Sequence, residues 1–428
     1  SWAPSATKIA ALGTKAIMAQ ARDLGWGAAL TLVLASAGCA PAETQPQEEP
    51  TLATRGSSTQ VPLSDEITIW VTKEIADSLV AVSEQFELDT GISVNLVIKD
   101  FGSMRQEVAA SSLSESAPDL FVGSHDWTGP LAQSGAINPL EVTSAFDSFR
   151  ANALSAFAFE NSLFGIPFAV ENIGLVCNSQ LVPNQPETWQ ELEAVGFEIA
   201  MSRGAGDPYH LYFLQSAFGA EIFERNADGS YLPELAMAGP EGAAFASWLS
   251  ANRDLLDFLD YSAVVDAMTS QQLACWITGP WAWQALSESI GEENLEVYDL
   301  PSPGEFKPTQ FLDALGFFMS SSAKDPHYVN RFLREYLASE AAQMDIYETT
   351  GRIPAHQEVV EFAESNKKVM SFSRAGINAT PRPNIPEMDY VWSPLGNAQG
   401  AILNGVANPE QVWLEMISAI QAQISVGG

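Results

Sequence analysis

The stretch that most constrains the fold of this chain is residues 165–178, which read G-I-P-F-A-V-E-N-I-G-L-V-C-N. Two apolar runs, 166–170 and 173–177, flank a single charged residue, Glu171. Apolar runs this short, bounded by Gly, Pro and Asn, read as buried strands rather than helices. A carboxylate between them is costly inside a core, so it belongs where the chain leaves one packed body and enters another. The segment is therefore expected to cross between two lobes, with Glu171 facing the cleft. The alternative is a bulge in one continuous strand, with Glu171 at a solvent edge.

A chain of 428 residues has room for two or three domains with substantial cores. Its 20 Lys and Arg against 53 Asp and Glu leave a net charge of −33, which makes nucleic acid and anionic membrane surfaces poor partners. The three cysteines, Cys39, Cys177 and Cys275, are too few for a disulfide framework and form no C-x-x-C pair. His125, His210, His327 and His356 lack metal-ligand spacing, and neither G-x-G-x-x-G nor a P-loop occurs. No metal or other cofactor is expected.

Residues 1–39 read as an export segment. After Met18 comes Arg22, then an apolar stretch over 26–35, then Ser36-Ala37-Gly38-Cys39. A Cys directly after Ala-Gly resembles a bacterial lipobox, in which that Cys is lipidated, although Ser36 stands where Leu is commoner. Met18 is the expected start, with 1–17 upstream of it. A weak transmembrane anchor or a buried helix is the competing reading of the apolar stretch, which is short for a membrane span. Residues 40–66 are rich in Pro, Gln, Glu, Ser and Thr without an apolar period and are expected to be a flexible tether.

The globular part opens with a strand at 67–71, a helix carrying Ile75, Leu79, Val82 and Phe86, and a second strand at 92–98, a β-α-β start to an α/β sheet. A third strand at 119–122 delivers His125-Asp126 to its carboxyl end, where open α/β sheets bind ligands. Beyond the crossover, helices are expected after Pro186-Glu187-Thr188-Trp189 and over 211–218, 243–256, 329–337 and 340–347. A strand at 273–277 runs into Thr278-Gly279-Pro280-Trp281-Ala282-Trp283. The Gly-Pro pair ends that strand and presents Trp281 at the sheet's carboxyl edge. A closing helix starts at Asn408-Pro409 and buries Val412, Trp413, Met416, Ile417 and Ile420. Asn378-Ala379-Thr380 fits the N-glycosylation pattern but carries little weight in a bacterial lipoprotein.

Residues 165–178, 278–283 and Pro383-Asn-Ile-Pro-Glu-Met388 together resemble the periplasmic maltose/maltodextrin-binding proteins of ABC-type sugar importers. Phe86-Glu-Leu-Asp-Thr-Gly91, His125-Asp126, Ala132-Gln-Ser-Gly135, Asp207-Pro208-Tyr209 and Asp260-Tyr261-Ser262 match in the same order from about residue 67 to 424. The resemblance implies an α/β fold of two lobes, each a sheet flanked by helices, joined by a hinge of three crossings. It divides the chain into 67–169 with 316–362 and 174–311 with 368–425. It implies a non-enzymatic, monomeric protein outside the cytoplasm, lipid-anchored to the outer face of the membrane. Such a protein hands an oligosaccharide to permease subunits on cleft closure.

By the same resemblance Asp126, Glu171 and Asp207 are polar sugar ligands, Tyr209, Trp281 and Trp392 aromatic platforms, and Tyr261 a further cleft residue. Trp283 is left to packing. Sugars offer C–H-lined faces that suit flat rings and hydroxyl edges that suit carboxylates, so the residue types fit. The chain departs from the family at several points. Val71-Thr72-Lys73-Glu74 lacks the Asp-Lys pair, Gly123 replaces a stacking Trp and Trp127 an Arg, while Arg382 replaces a Met and Gly396 an Arg. Trp127 and Arg382 are counted with the ligand-binding residues, Trp127 as compensation for Gly123. Cys177 and Cys275 fall in one lobe near the cleft, where two buried thiols are expected rather than a bond. The rival readings are a glycoside hydrolase using two of the three carboxylates about 5–10 Å apart, and a surface adhesin.

Overall fold

A computed structural model of the chain describes residues 65–111, 114, 116–201, 206–226, 229–256 and 259–427. The expected export segment, Cys39 and nearly all of the tether lie outside these residues. The strands that carry the architecture are β1 (Glu66–Val71), β2 (Ser93–Ile98), β3 (Leu120–Ser124), β4 (Gly165–Asn172), β5 (Gly174–Asn178), β6 (Phe197–Glu198), β7 (Cys275–Thr278), β8 (Leu295–Tyr298), β9 (Phe311–Met319), β10 (Ile353–Pro354) and β11 (Thr380–Pro381). They form a seven-stranded sheet in the order β10-β4-β9-β3-β1-β2, with β11 also on β9, and a four-stranded sheet in the order β8-β5-β7-β6.

The expected β-α-β opening is present. β1 pairs in parallel with both β2 and β3. The apolar stripe between β1 and β2 spans two helices, Lys73–Ser78 and Val80–Thr90, which meet at the fully buried Leu79. β1 is buried on both faces, as a strand inside a helix-covered parallel sheet must be. Helix 243–256 is shorter than its apolar pattern, running Pro240–Ala251, and Leu256 packs from the turn beyond it. The closing helix runs Pro409–Gly427, and the Asn408 side chain caps it by accepting from the Gln411 N–H.

The crossover falls where Glu171 predicted a change of body. β4 belongs to the larger sheet and β5 to the smaller, with only Ile173 between them. The strand is unbroken at Glu171, and the irregularity in the β4–β9 ladder lies at Leu315/Gly316 instead. Buried Asn172 pins the crossing: its amide donates to the Ile173 and Phe372 carbonyls at 3.1 and 3.3 Å, tying it to helix Lys367–Ala375. The chain recrosses between β8 and β9, and after β11 the helices Trp392–Leu403 and Pro409–Gly427 pack into the core of the smaller sheet.

The smaller sheet is buried on both faces. Leu175, Cys177, Cys275 and Ile277 share one core with Tyr212, Phe245, Leu395 and Trp413. Val176, Trp276, Leu295 and Val297 alternate to the other face, against Met268, Trp283, Leu286 and Phe372. Here the expectation of two free thiols is corrected, because Cys177 and Cys275 form a disulfide. They are directly opposed partners on antiparallel β5 and β7, with Cα atoms 4.1 Å apart, which brings the two sulfurs within bonding reach.

Candidate functional site

The candidate residues lie on a strand (Glu171), just beyond strand ends (Asp126, Trp281, Arg382), in a turn (Asp207, Tyr209) or at the start of a helix (Tyr261, Trp392). On the larger-sheet side, β3 ends at Ser124 and passes into a short 3-10 turn, His125–Trp127. His125 is fully buried; its Nδ1 accepts from the Ala314 N–H and its Nε2 donates to the Arg382 carbonyl, both at 3.1 Å. That pair of bonds fixes a neutral ring with the proton on Nε2, and burial accordingly lowers its pKa. His125 thus clamps β3, β9 and the Arg382 segment together at one point.

A charged network runs from this clamp. The Arg382 guanidinium bonds Asp313 through Nε at 2.8 Å and Nη2 at 2.7 Å, and pairs through Nη1 with Asp126 at 3.4 Å. Asp313 on β9 lies directly across the ladder from Glu171 on β4. Glu171 in turn pairs with Arg352 Nη1 at 2.8 Å, and Arg352 reaches Glu74 at 3.5 Å. Burial alone raises the Asp126 pKa, but Arg382 and the Ser124 hydroxyl together hold the carboxyl below its usual range. Glu171 goes the other way: burial, with Asp313 and Glu74 adding to it, lifts its pKa despite Arg352. One oxygen of Asp126, Oδ1, is buried without a hydrogen-bond partner, a free acceptor at the site.

The smaller-sheet side is aromatic. Tyr209 lies 6.4 Å from Trp281 and 6.0 Å from Phe311, ring centre to ring centre. Its hydroxyl is buried near Asp313, and burial raises its pKa strongly. Trp281 and Tyr261 are each 43% exposed, and the Tyr261 hydroxyl donates at 3.5 Å to the Trp281 carbonyl. Trp283, two residues on, is only 6% exposed and stands edge-on to Phe372. The chain turns into a 3-10 turn at Pro280–Ala282 and then a helix from Trp283, so the two indoles diverge. Any side chain at Gly279 would collide with the Trp281 indole, which folds back over it.

Asp207 is spent locally. Its Oδ1 accepts from the N–H groups of Tyr209 and His210, and its Oδ2 lies 2.7 Å from His210 Nδ1. Burial raises its pKa, and these bonds more than reverse the shift. The imidazole so held stands perpendicular to Trp281 at 5.9 Å, so Asp207 supports the aromatic wall through His210. Trp392 packs edge-on to Phe311 at 6.3 Å and carries Arg382 over its ring at 5.5 Å.

The structure therefore brings Asp126, Glu171 and Arg382 into one network and Tyr209, Tyr261, Trp281 and Trp392 into one wall, joined by Asp313 and Phe311. Trp127 does not join them. It is 8% exposed, 5.0 Å from Phe101, with its ring over Gly123, where a Cβ would clash with it. It fills the space vacated at Gly123, but as core. Sequence reasoning missed Asp313, Arg352, Phe311 and His210. Asp313 carried the signal that had marked Glu171, a lone carboxylate in the apolar run F-L-D-A-L-G-F-F-M.

Two α/β lobes joined by three crossings, with a charged wall facing an aromatic one at their junction, define a two-lobed solute-binding protein. Residues 81–371 match the bacterial extracellular solute-binding proteins, and the chain belongs to that family. It is similar to the maltodextrin-binding protein MdxE of Bacillus subtilis, 24% identical with 79% of this chain and 86% of that one covered. It is equally similar, at 24%, to the galactooligosaccharide-binding protein of the same organism, with 93% and 95% covered. Among solved structures, a cyclo/maltodextrin-binding protein complexed with maltotetraose superposes with a TM-score of 0.76 at 25% identity, covering 84% of this chain and 97% of that one. The extracellular solute-binding protein of Staphylococcus aureus in complex with maltose gives 0.76 at 25%, covering 85% and 98%. The resemblance drawn from the sequence motifs holds. The family is extracellular, its named relatives are binding proteins, and among the described residues no helix is long and apolar enough to cross a membrane.

Proposed function

We propose that this chain captures maltose- or maltodextrin-type oligosaccharides and delivers them to an ABC importer by cleft closure. The observation that carries this reading is the half-exposed Trp281 beside Tyr209 and Tyr261, facing the Asp126–Arg382–Asp313 network with its free buried acceptor. A sugar ring laid on the indole gives its C–H face to the aromatic wall and its hydroxyls to the carboxylates. Sugar bridging both sides stabilises the closed arrangement over an open one, which is the population shift that couples capture to delivery. The moving bodies are residues 67–169 with 316–362 and residues 174–311 with 368–425. Asp126, Glu171, Tyr209, Tyr261, Trp281 and Arg382 form the binding set, with Trp392 backing Arg382 and Asp207 acting through His210.

Calorimetry against maltose, maltodextrins, trehalose and galactooligosaccharides tests the reading, and solution scattering should show a smaller radius of gyration with ligand. The galactosides belong in the panel because a galactooligosaccharide-binding relative is as similar as the maltodextrin-binding one. Binding to none of these sugars would end the proposal. Maltotetraose recovered intact after incubation separates binding from hydrolysis; shorter products would favour the hydrolase.

Delivery at the membrane calls for an anchor, and Cys39 after Ser36-Ala37-Gly38 supplies the acceptor for lipid, with residues 1–38 removed and 40–66 as the tether. Cys39→Ala should move the protein from the membrane to the soluble fraction, and an unchanged distribution would refute the anchor.

A further inference from the structure

We infer that Arg382 walls off the Trp392 end of the cleft, so that the site takes a short saccharide of two or three rings and gains little from a longer chain. This rests on the sugar-binding reading above. A platform works only if a face of the ring is open to the sugar. Trp392 has the Arg382 guanidinium over its ring at 5.5 Å and Phe311 against its edge at 6.3 Å. Trp281 and Tyr261, by contrast, are each 43% exposed. The stacking surface that remains is therefore gathered at the Trp281 end.

Arg382 is fixed at both ends of its side chain. Its backbone N–H donates to the Leu312 carbonyl at 3.2 Å and its carbonyl accepts from His125 Nε2 at 3.1 Å. Its guanidinium is held by Asp313 through two nitrogens and by Asp126 through a third. A guanidinium in charge-assisted bonds of this kind, largely out of water, does not swing aside for an incoming ring, because both carboxylates would be left buried and unpaired. Arg382 thus acts as a fixed wall rather than a movable lid.

The test is the length dependence of binding by the full chain, measured by calorimetry with two-, three-, four- and seven-ring glucosides and with two- to four-ring galactosides. In the wild type, Kd should change by less than about threefold from three rings to the longest member bound. In Arg382→Met it should fall by at least about tenfold over the same span, a gain of about 1.4 kcal/mol. Asp313→Asn with Arg382→Met removes one of the stranded carboxylates and serves if the single variant fails to fold. The readout is the ratio between lengths, which a merely structural loss lowers equally at every length and so leaves unchanged. A wild type that already gains tenfold with length, or a folded variant that keeps the wild-type profile, overturns the wall. Failure of the wild type to bind any sugar of either series would instead overturn the sugar reading, and the wall with it.

Discussion

The charged side of the cleft and the aromatic side face each other but are supported differently. On the larger-sheet side, Asp126, Glu171 and Asp313 are already engaged by Arg382 and Arg352, and Arg382 is itself tied by its carbonyl to His125. Carboxylates this far out of water need such partners before any ligand arrives. On the smaller-sheet side, Trp281 and Tyr261 stand half in water, which an uncharged ring tolerates. On the proposed sugar-binding reading, the first side is set in advance and would supply direction, while the second would supply most of the adhesion. The difference teaches where mutations divide into losses of affinity and losses of fold.

The largest effect should come from under the aromatic wall. That wall stands on a four-stranded sheet whose neighbouring strands β5 and β7 are joined by the Cys177–Cys275 bond. Replacing both cysteines by Ala should cost up to about 5 kcal/mol of apo stability in urea unfolding. An unchanged midpoint would mean that the smaller sheet stands without its cross-link, and the two sides would then be alike in support.

Next in size is the wall itself. Trp281→Ala should weaken sugar binding by about 2–4 kcal/mol, roughly 30- to 1000-fold, with little change in apo melting temperature. It should also remove most of the ligand-induced change in tryptophan fluorescence. Trp283→Ala should do the reverse, destabilising the fold through its lost packing while sparing affinity. Equal affinity losses from the two substitutions would erase the distinction between platform and core.

The smallest effect is the most diagnostic of the charged side. Glu171→Gln should weaken binding by about tenfold, the loss of one charge-assisted bond. Because the folded protein raises the Glu171 pKa above 4.5, sugar affinity should begin to fall at a higher pH than an ordinary glutamate allows. The sign for stability is opposite. A raised carboxyl pKa contributes stability below the unfolded value and loses it as pH rises through the folded one. Acid should therefore weaken binding while Glu171 itself favours the apo fold, and the Gln variant should lack the Glu171 share of each slope. A variant with the wild-type pH profile of affinity would remove Glu171 from the site.

Much of this contrast was legible in the residues. Glu171 between two apolar runs marked the crossing, because a lone carboxylate in a buried strand has few places to go. Gly279-Pro280 marked the strand end that presents Trp281, while the parting of Trp281 from Trp283 came from the resemblance, since the residues alone left open whether the chain stays extended or turns into a helix there. What escaped notice depended on contacts between distant segments. The Cys177–Cys275 bond arises from strand register across a sequence separation of 98, which spacing alone does not reveal. Arg352 reaches Glu171 from the short strand β10, and His210 is recruited by Asp207 only once that loop has turned. Trp127, expected in the wall, instead packs its ring over Gly123 in the core, a placement that depends on the space Gly123 leaves and not on spacing along the chain.

The disulfide also changes which residues are neighbours along the covalent chain. Followed through the backbone alone, Glu171 and Trp281 lie on opposite sides of an excursion that builds much of the smaller lobe. Followed through the two sulfurs, they are a short walk apart, for each lies a few residues from one half of the bond. Glu171 and Trp281 thus belong to one small covalent arc, with the excursion hanging from it as a closed loop. Thermal breathing of that loop, or a nick within it, leaves the arc intact. In a reducing compartment the same two groups would be tethered only through the whole excursion, and their spacing would depend on every element within it.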